Sequence, residues 1–201
     1  MIRGGCPFLV ALATVGAWED CCVFRQWGFE QELEMPVLAA EEQRREIHPV
    51  DLIEQIASQH KWEFERDSED EINLSVAGHW TDYKISLSWM EDFEALHMAC
   101  AFDVKVPESR ISEVTRLLAL INEQMLIGHF DLWAAEGAIM FRQTLMLNGG
   151  AIPTGEQVEC LLISALESSE RYFQAFQFVV WAGNTAETAM DCALFETSGS
   201  A

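Results

Sequence analysis

From Glu71 to Val104 apolar and polar residues alternate with a period of two, in three successive runs. Ile72, Leu74 and Val76 alternate with Asn73 and Ser75. Tyr83, Ile85, Leu87 and Trp89 alternate with Lys84, Ser86 and Ser88. Leu96, Met98, Cys100, Phe102 and Val104 alternate with His97, Ala99, Ala101 and Asp103. The pattern predicts three consecutive antiparallel strands, with one sheet face apolar and the other small or polar, which suits a sheet that packs helices on one side. A short strand from Trp62 to Arg66 is expected to pair with Glu71 to Ala77 across the acidic turn Asp67-Ser68-Glu69-Asp70. That turn is not a calcium loop, because the sixth position from Asp67 is Ile72 rather than glycine and the twelfth is Gly78 rather than glutamate.

Around this sheet the period changes to that of a helix. Pro49 suits a first helical position, and Val50, Ile53, Ile56 and Ala57 recur at helical spacing up to His60. After Pro107, Ser109 or Ser112 is expected to cap a second helix with Ile111, Val114, Leu117, Leu118, Ile121 and Met125 as apolar positions and Gly128 closing it. Its run Leu117-Leu118-Ala119-Leu120-Ile121 is apolar around more of the circumference than one core contact requires. Leu120 lies off the main stripe, so either a neighbouring loop or a second subunit covers it; a homodimer through Ser109 to Ile127, with Leu117 and Leu120 on its surface, is the expectation. Two strands follow, His129 to Ala135 and Ala138 to Leu147, joined at Glu136-Gly137. Thr154 with Gln157 makes a capping box for a long helix that carries Val158, Leu161, Leu162, Ala165, Leu166, Tyr172, Phe173 and Phe176 inward and stops at Gly183. Asn184 or Thr185 caps a last short helix reaching about Phe195.

The chain is thus expected to be an α+β domain over residues 47–196. It has an antiparallel sheet of about five to six strands, helices packed on one face, and the order α-β-β-β-β-α-β-β-α-α. Residues 197–201 read as a frayed end. Residues 1–46 read as an extension that is disordered or extraneous to the fold, with Met35 an alternative start. The apolar run Pro7 to Trp18 follows a single Arg3 and is too short to span a bilayer as a helix.

Composition narrows the partners. The formal net charge is −21, with 33 carboxylates against 12 lysines and arginines, so a phosphate backbone or an anionic bilayer would be repelled. Neither nucleic acid nor membrane is expected as a partner; the acid excess reads first as solubility, and a surface steering toward basic partners is the sharper alternative. The six cysteines show no CxxC pairing and no disulfide spacing, which fits a reducing cytoplasm. Cys100 on the apolar sheet face and Cys160 beside a helical stripe read as buried thiols.

Catalytic signatures are missing. The sequence has no GxSxG, Walker A, GxGxxG or HExxH, and no two of His48, His60, His79, His97 and His129 stand at metal-ligand spacing on one element. No catalytic residue, metal ligand or cofactor is assigned. An enzyme whose site is assembled from separate strands, with His97 and His129 as its candidates, is the competing reading. Most of the tryptophans belong in the core. Trp80, at a turn, and Trp133 are candidates for a partner surface.

The stretches ERDSEDEINLSVAGHWTDYKISLSW, LHMACAFDVKVPESR, LLALINEQMLIGHFDLWAAEGAIMFRQTL, FQFVVWAG and CALFET resemble the YbjN-type family over about residues 48–196. Members of that family are described as bacterial sensory transduction regulators. The resemblance implies a fold like that of type III secretion chaperones, which are small, acidic and prone to dimerise. It further implies a non-enzymatic protein that binds an unidentified protein partner, and it supplies no catalytic or cofactor residue.

Overall fold

The computed structural model describes residues 47–197, with side chains as far as Ala193. The expectations for residues 1–46, including Cys6, Cys21 and Cys22, and for residues 198–201 lie outside the described residues. The last helix runs to Thr197, slightly beyond its expected end.

The elements follow the order read from the periodicity: α1 (Pro49–His60), β1 (Glu63–Arg66), β2 (Glu71–Ala77), β3 (Asp82–Met90), β4 (Ala95–Lys105), α2 (Ile111–Glu123), β5 (His129–Trp133), β6 (Ala138–Met146), α3 (Gly155–Val180) and α4 (Ala186–Thr197). The strands form one six-stranded sheet in the order β1-β2-β3-β4-β6-β5, antiparallel throughout. The β5–β6 hairpin is laid down with its second strand inward, so β5 is an edge strand.

Alternation decides the sidedness. Ile72, Leu74, Val76, Tyr83, Ile85, Leu87, Trp89, Leu96, Met98, Cys100, Phe102 and Val104 are all buried. α1 packs over β1, β2 and β3, and α3 over β4 and β6. Phe102 meets Phe173 and Phe176 with ring centroids 5.6 and 5.5 Å apart, and Phe130 meets Phe176 at 5.3 Å. Such aromatic pairs add about 1 kcal/mol each beyond the area they bury, so they fix the long helix to the sheet.

The helix ends are closed by specific groups. The His48 Nδ1 accepts the Val50 N–H at 3.3 Å ahead of Pro49, and Lys61 ends α1 in the left-handed conformation. Arg66 holds α1 to the β1–β2 turn, donating to Asp51 at 2.6 Å and Glu54 at 3.1 Å and to the carbonyls of Ser68 and Glu69. The capping box of α3 is formed as read, with Thr154 Oγ1 accepting from Gln157 N at 3.2 Å and Gln157 Oε1 accepting from Thr154 N at 2.9 Å.

The second helix departs from the sequence reading. Neither Ser109 nor Ser112 caps it, because a 3-10 turn over Glu108–Arg110 feeds the chain directly into α2. Arg110 instead reaches across to the end of α3, donating to the carbonyls of Val179 at 2.9 Å and Asn184 at 2.7 Å. α2 ends at Glu123, so Gly128 does not close it. Gly128 sits at φ +67° where a Cβ would strike the Phe141 ring, and it admits the chain into β5.

Leu117 is wholly buried and part of the core, so its assignment to a dimer surface is corrected; Leu120 is half-buried and packs on the same core. The physical reason is that α2 is covered by α3, α4 and β5 of its own chain, which accounts for its wide apolar circumference. Cys160 is likewise exposed rather than buried.

Candidate interaction surface

The register of the strands defines the face that no helix among the described residues covers. Residues paired across it are Glu63–Ser75–Lys84–Ala101–Met140–Asp131 and Glu65–Asn73–Ser86–Ala99–Arg142–His129, followed by Glu71–Ser88–His97–Thr144 and Met90–Ala95–Met146. The centre is therefore rich in serine and alanine, the β1 side acidic, and the β6–β5 side holds arginine, histidine and the buried Met140. Trp133 extends the same face of β5, half-buried.

Cross-strand hydrogen bonds hold these side chains in place. Ser86 donates to Asn73 at 2.5 Å, Asn73 to Asp67 at 2.6 Å, and Lys84 to Ser75 at 2.7 Å. At the other side the Arg142 guanidinium donates to His97 Nε2 at 3.3 Å and to Asp131 at 3.0 Å, while the second oxygen of Asp131 accepts from Leu132 N at 2.8 Å. Burial first, then the charge of Arg142 and the neighbouring His129, push the His97 imidazole down to about 4. Across the β1–β2 turn the Glu71 carboxyl is raised, by burial first and then by Asp67 and Asp70.

The two histidines singled out from the sequence do come together. His97 and His129 line one open concavity with Leu126, Ile127, Gly128, Arg142, Gln143 and Thr144. The chemistry there is not that of a metal centre, because Arg142 already donates to the His97 nitrogen that faces it. Among the described residues no cluster of three or more histidines, cysteines, aspartates or glutamates is placed to hold a metal ion. Cys100 lies on the opposite face, where burial pushes its thiol up to about 12 despite a contact to Ser169, so it is no nucleophile at neutral pH.

Trp80 is 42% exposed at the β2–β3 turn and stands edge-on to His79. Sequence reasoning missed Met90, Phe93 and Met146, all exposed at one end of the sheet. The signal was present for the methionines: Met90 and Met146 fall on the polar phase of their strands.

No curated protein matches the chain. In fold it is similar to the crystal structure of the ExsC–ExsE complex, with 19% identity over 61% of this chain and 88% of that chain at a TM-score of 0.46. It is also similar to YbjN of E. coli, described as "a putative transcription regulator", with 14% identity over 60% of this chain and 85% of that chain at a TM-score of 0.45. The family YbjN, described as "Putative bacterial sensory transduction regulator", matches residues 49–178, which is well over half the chain and runs from the first helix through the whole sheet into the last turn of the third helix. The chain belongs to the YbjN family.

Proposed function

We propose that the protein is a non-enzymatic regulator or chaperone-like adaptor that works by binding another protein through the open face of its sheet. The observation that carries this reading is the face itself: small side chains at the centre, already fixed by cross-strand hydrogen bonds, with methionine and tryptophan at its margins. A preorganised surface loses little entropy when a partner settles on it, and small residues let that partner approach the strands closely. The family description, a regulator, supports the same reading. The free thiols of Cys100, Cys160 and Cys192 suit a reducing cytoplasm as the place of action.

The competing reading, an enzyme with His97 and His129 in its site, is supported by the concavity they share. It is the weaker one, since a cation at His97 would have to displace the guanidinium of Arg142. A homodimer through α2 loses its motive because α2 is covered within one chain; self-association is tested at the open face instead.

A photo-crosslinking side chain placed at Ser88, on the open face, and in a second variant at Glu167, exposed on α3, tests the proposal in bacterial cells. A discrete protein adduct from the Ser88 variant alone is expected. Adducts from neither position, or equally from both, would overturn the reading.

A further inference from the structure

The open face is not uniform, and one end of it is apolar. Met90 and Met146 flank Ala95 in a single cross-strand row, 38% and 58% exposed, and Phe93 is 58% exposed in the 3-10 turn Glu91–Phe93 at the same end. This end is rigid. Leu147 N donates to the Glu94 carbonyl at 2.8 Å, Gly149 N to the Glu94 carboxylate at 2.8 Å, and Asn148 to the Phe93 carbonyl at 3.3 Å, so the β3–β4 turn and the segment after β6 are tied together. Exposed methionines on a fixed platform form an adaptable apolar contact.

The charge beside the row is acidic, and the arginines on the neighbouring strand segments, Arg66 and Arg142, are already paired with Asp51 and Glu54 and with Asp131. Glu71 stands beside Ser88 in the adjoining row, and Glu91 and Asp92 are exposed next to Phe93. No lysine or arginine occurs from Ile85 to Val104 or from Gln143 to Glu170, the two stretches that build this end. Met90 and Met146 lie two strand spacings apart, about 10 Å. That matches about 10 Å between residues i and i+7 along one side of an α-helix.

We propose that the Met90–Ala95–Met146 row with Phe93 is the docking site for a basic amphipathic helix of the partner protein, laid across the strands with its apolar stripe on the methionines and its lysines or arginines toward Glu71, Glu91 and Asp92. The inference rests on the protein-binding reading above and adds to it the place and the chemistry of the partner. The carboxylates steer the encounter and reject acidic helices, while the methionines and Phe93 supply the apolar contact.

The test uses the full chain labelled with 13C at its methionine methyls, titrated with a model helical peptide of leucine and lysine. Two control peptides accompany it, one with glutamate in place of lysine and one with serine in place of leucine. The leucine–lysine peptide is expected to shift the methyls of Met90 and Met146 and to leave those of the buried Met98 and Met140 unmoved. The double variant Met146→Ser with Phe93→Ser, both at exposed positions, is expected to weaken binding about tenfold or more. Equal binding of either control peptide, or shifts away from the row, would overturn the proposal. So would broadening of the Met90 and Met146 methyls with protein concentration alone, which would make a second copy the occupant. If the Ser88 adduct persists in the Met146→Ser, Phe93→Ser variant, this inference fails while the protein-binding reading stands. If the wild-type sequence context yields no adduct at Ser88, the protein-binding reading itself falls.

Discussion

The buried hydroxyl of Tyr83, between Phe102 and Phe173 at ring distances of 6.3 and 6.5 Å, lies beside the Glu170 carboxylate but meets no group in hydrogen-bond geometry among the described residues. The neighbouring Glu170 spends an oxygen on the His79 backbone N–H at 2.6 Å, and burial, followed by that carboxylate, raises the phenol above its ordinary range. A buried polar group left unpaired costs stability, so Tyr83→Phe is expected to lose nothing and to gain up to about 1 kcal/mol in urea unfolding. A loss of that size would show that the hydroxyl is paired. His97 makes a pH prediction. Its folded-state pKa, about 4, lies below the ordinary 6.5, so between those values the unfolded chain binds a proton that the folded chain does not. Stability from this group is complete above about pH 6.5 and is lost as the pH falls toward 4, and His97→Gln is expected to flatten that part of the stability curve; parallel curves for the two proteins would contradict it. The alternation of residues made the burial of Tyr83 legible in the sequence. The guanidinium beside His97 was not, because Arg142 arrives from a strand 45 positions later in the chain.

At the scale of elements, local signals were read well and long-range ones poorly. The capping box at Thr154 lies within four consecutive residues, so its spacing alone announces it. The missing cap at Ser109 and Ser112 reflects the 3-10 turn that runs straight into α2, its Arg110 held at the α3–α4 junction by a contact no local pattern contains. For the same reason the broad apolar surface of α2 suggested a second copy when its cover is α4 of the same chain. Asn122, near the end of α2, shows what such long-range placement does for the sheet. Its side-chain amide donates to the Phe130 carbonyl at 3.0 Å and accepts from the Phe130 N–H at 2.8 Å, closing the outer edge of β5 as a neighbouring strand would. Together with Asp131 on Leu132 N, it leaves little of that edge to template another strand. Asn122→Ala is expected to cost about 1–3 kcal/mol and to make the protein aggregate on mild heating, measured by thermal unfolding with light scattering. A variant that unfolds and stays dispersed like the wild type would remove the edge-closing role.

For the whole molecule, the two-faced sheet follows directly from period-two alternation, and it determines where the helices go. Strand order was not legible: nothing local says that β6 rather than β5 joins β4, and only that order brings His97, Arg142 and His129 onto neighbouring strands. The charge of −21 surrounds the molecule with a negative field, and the two stretches that carry Met90 and Met146 hold no lysine or arginine to offset it, which is what the proposed basic helix would meet. The central claim is that the uncovered face makes the functional contact. Ala99 lies mid-face between Ser86 and Arg142, where a larger neutral side chain can point away from the core without disturbing the packing beneath. The decisive measurement is the Ser88 cross-linking adduct in an Ala99→Gln background, read together with the thermal unfolding midpoint. The account predicts an unchanged midpoint and loss of the adduct; a folded variant that still forms the adduct in full would contradict it.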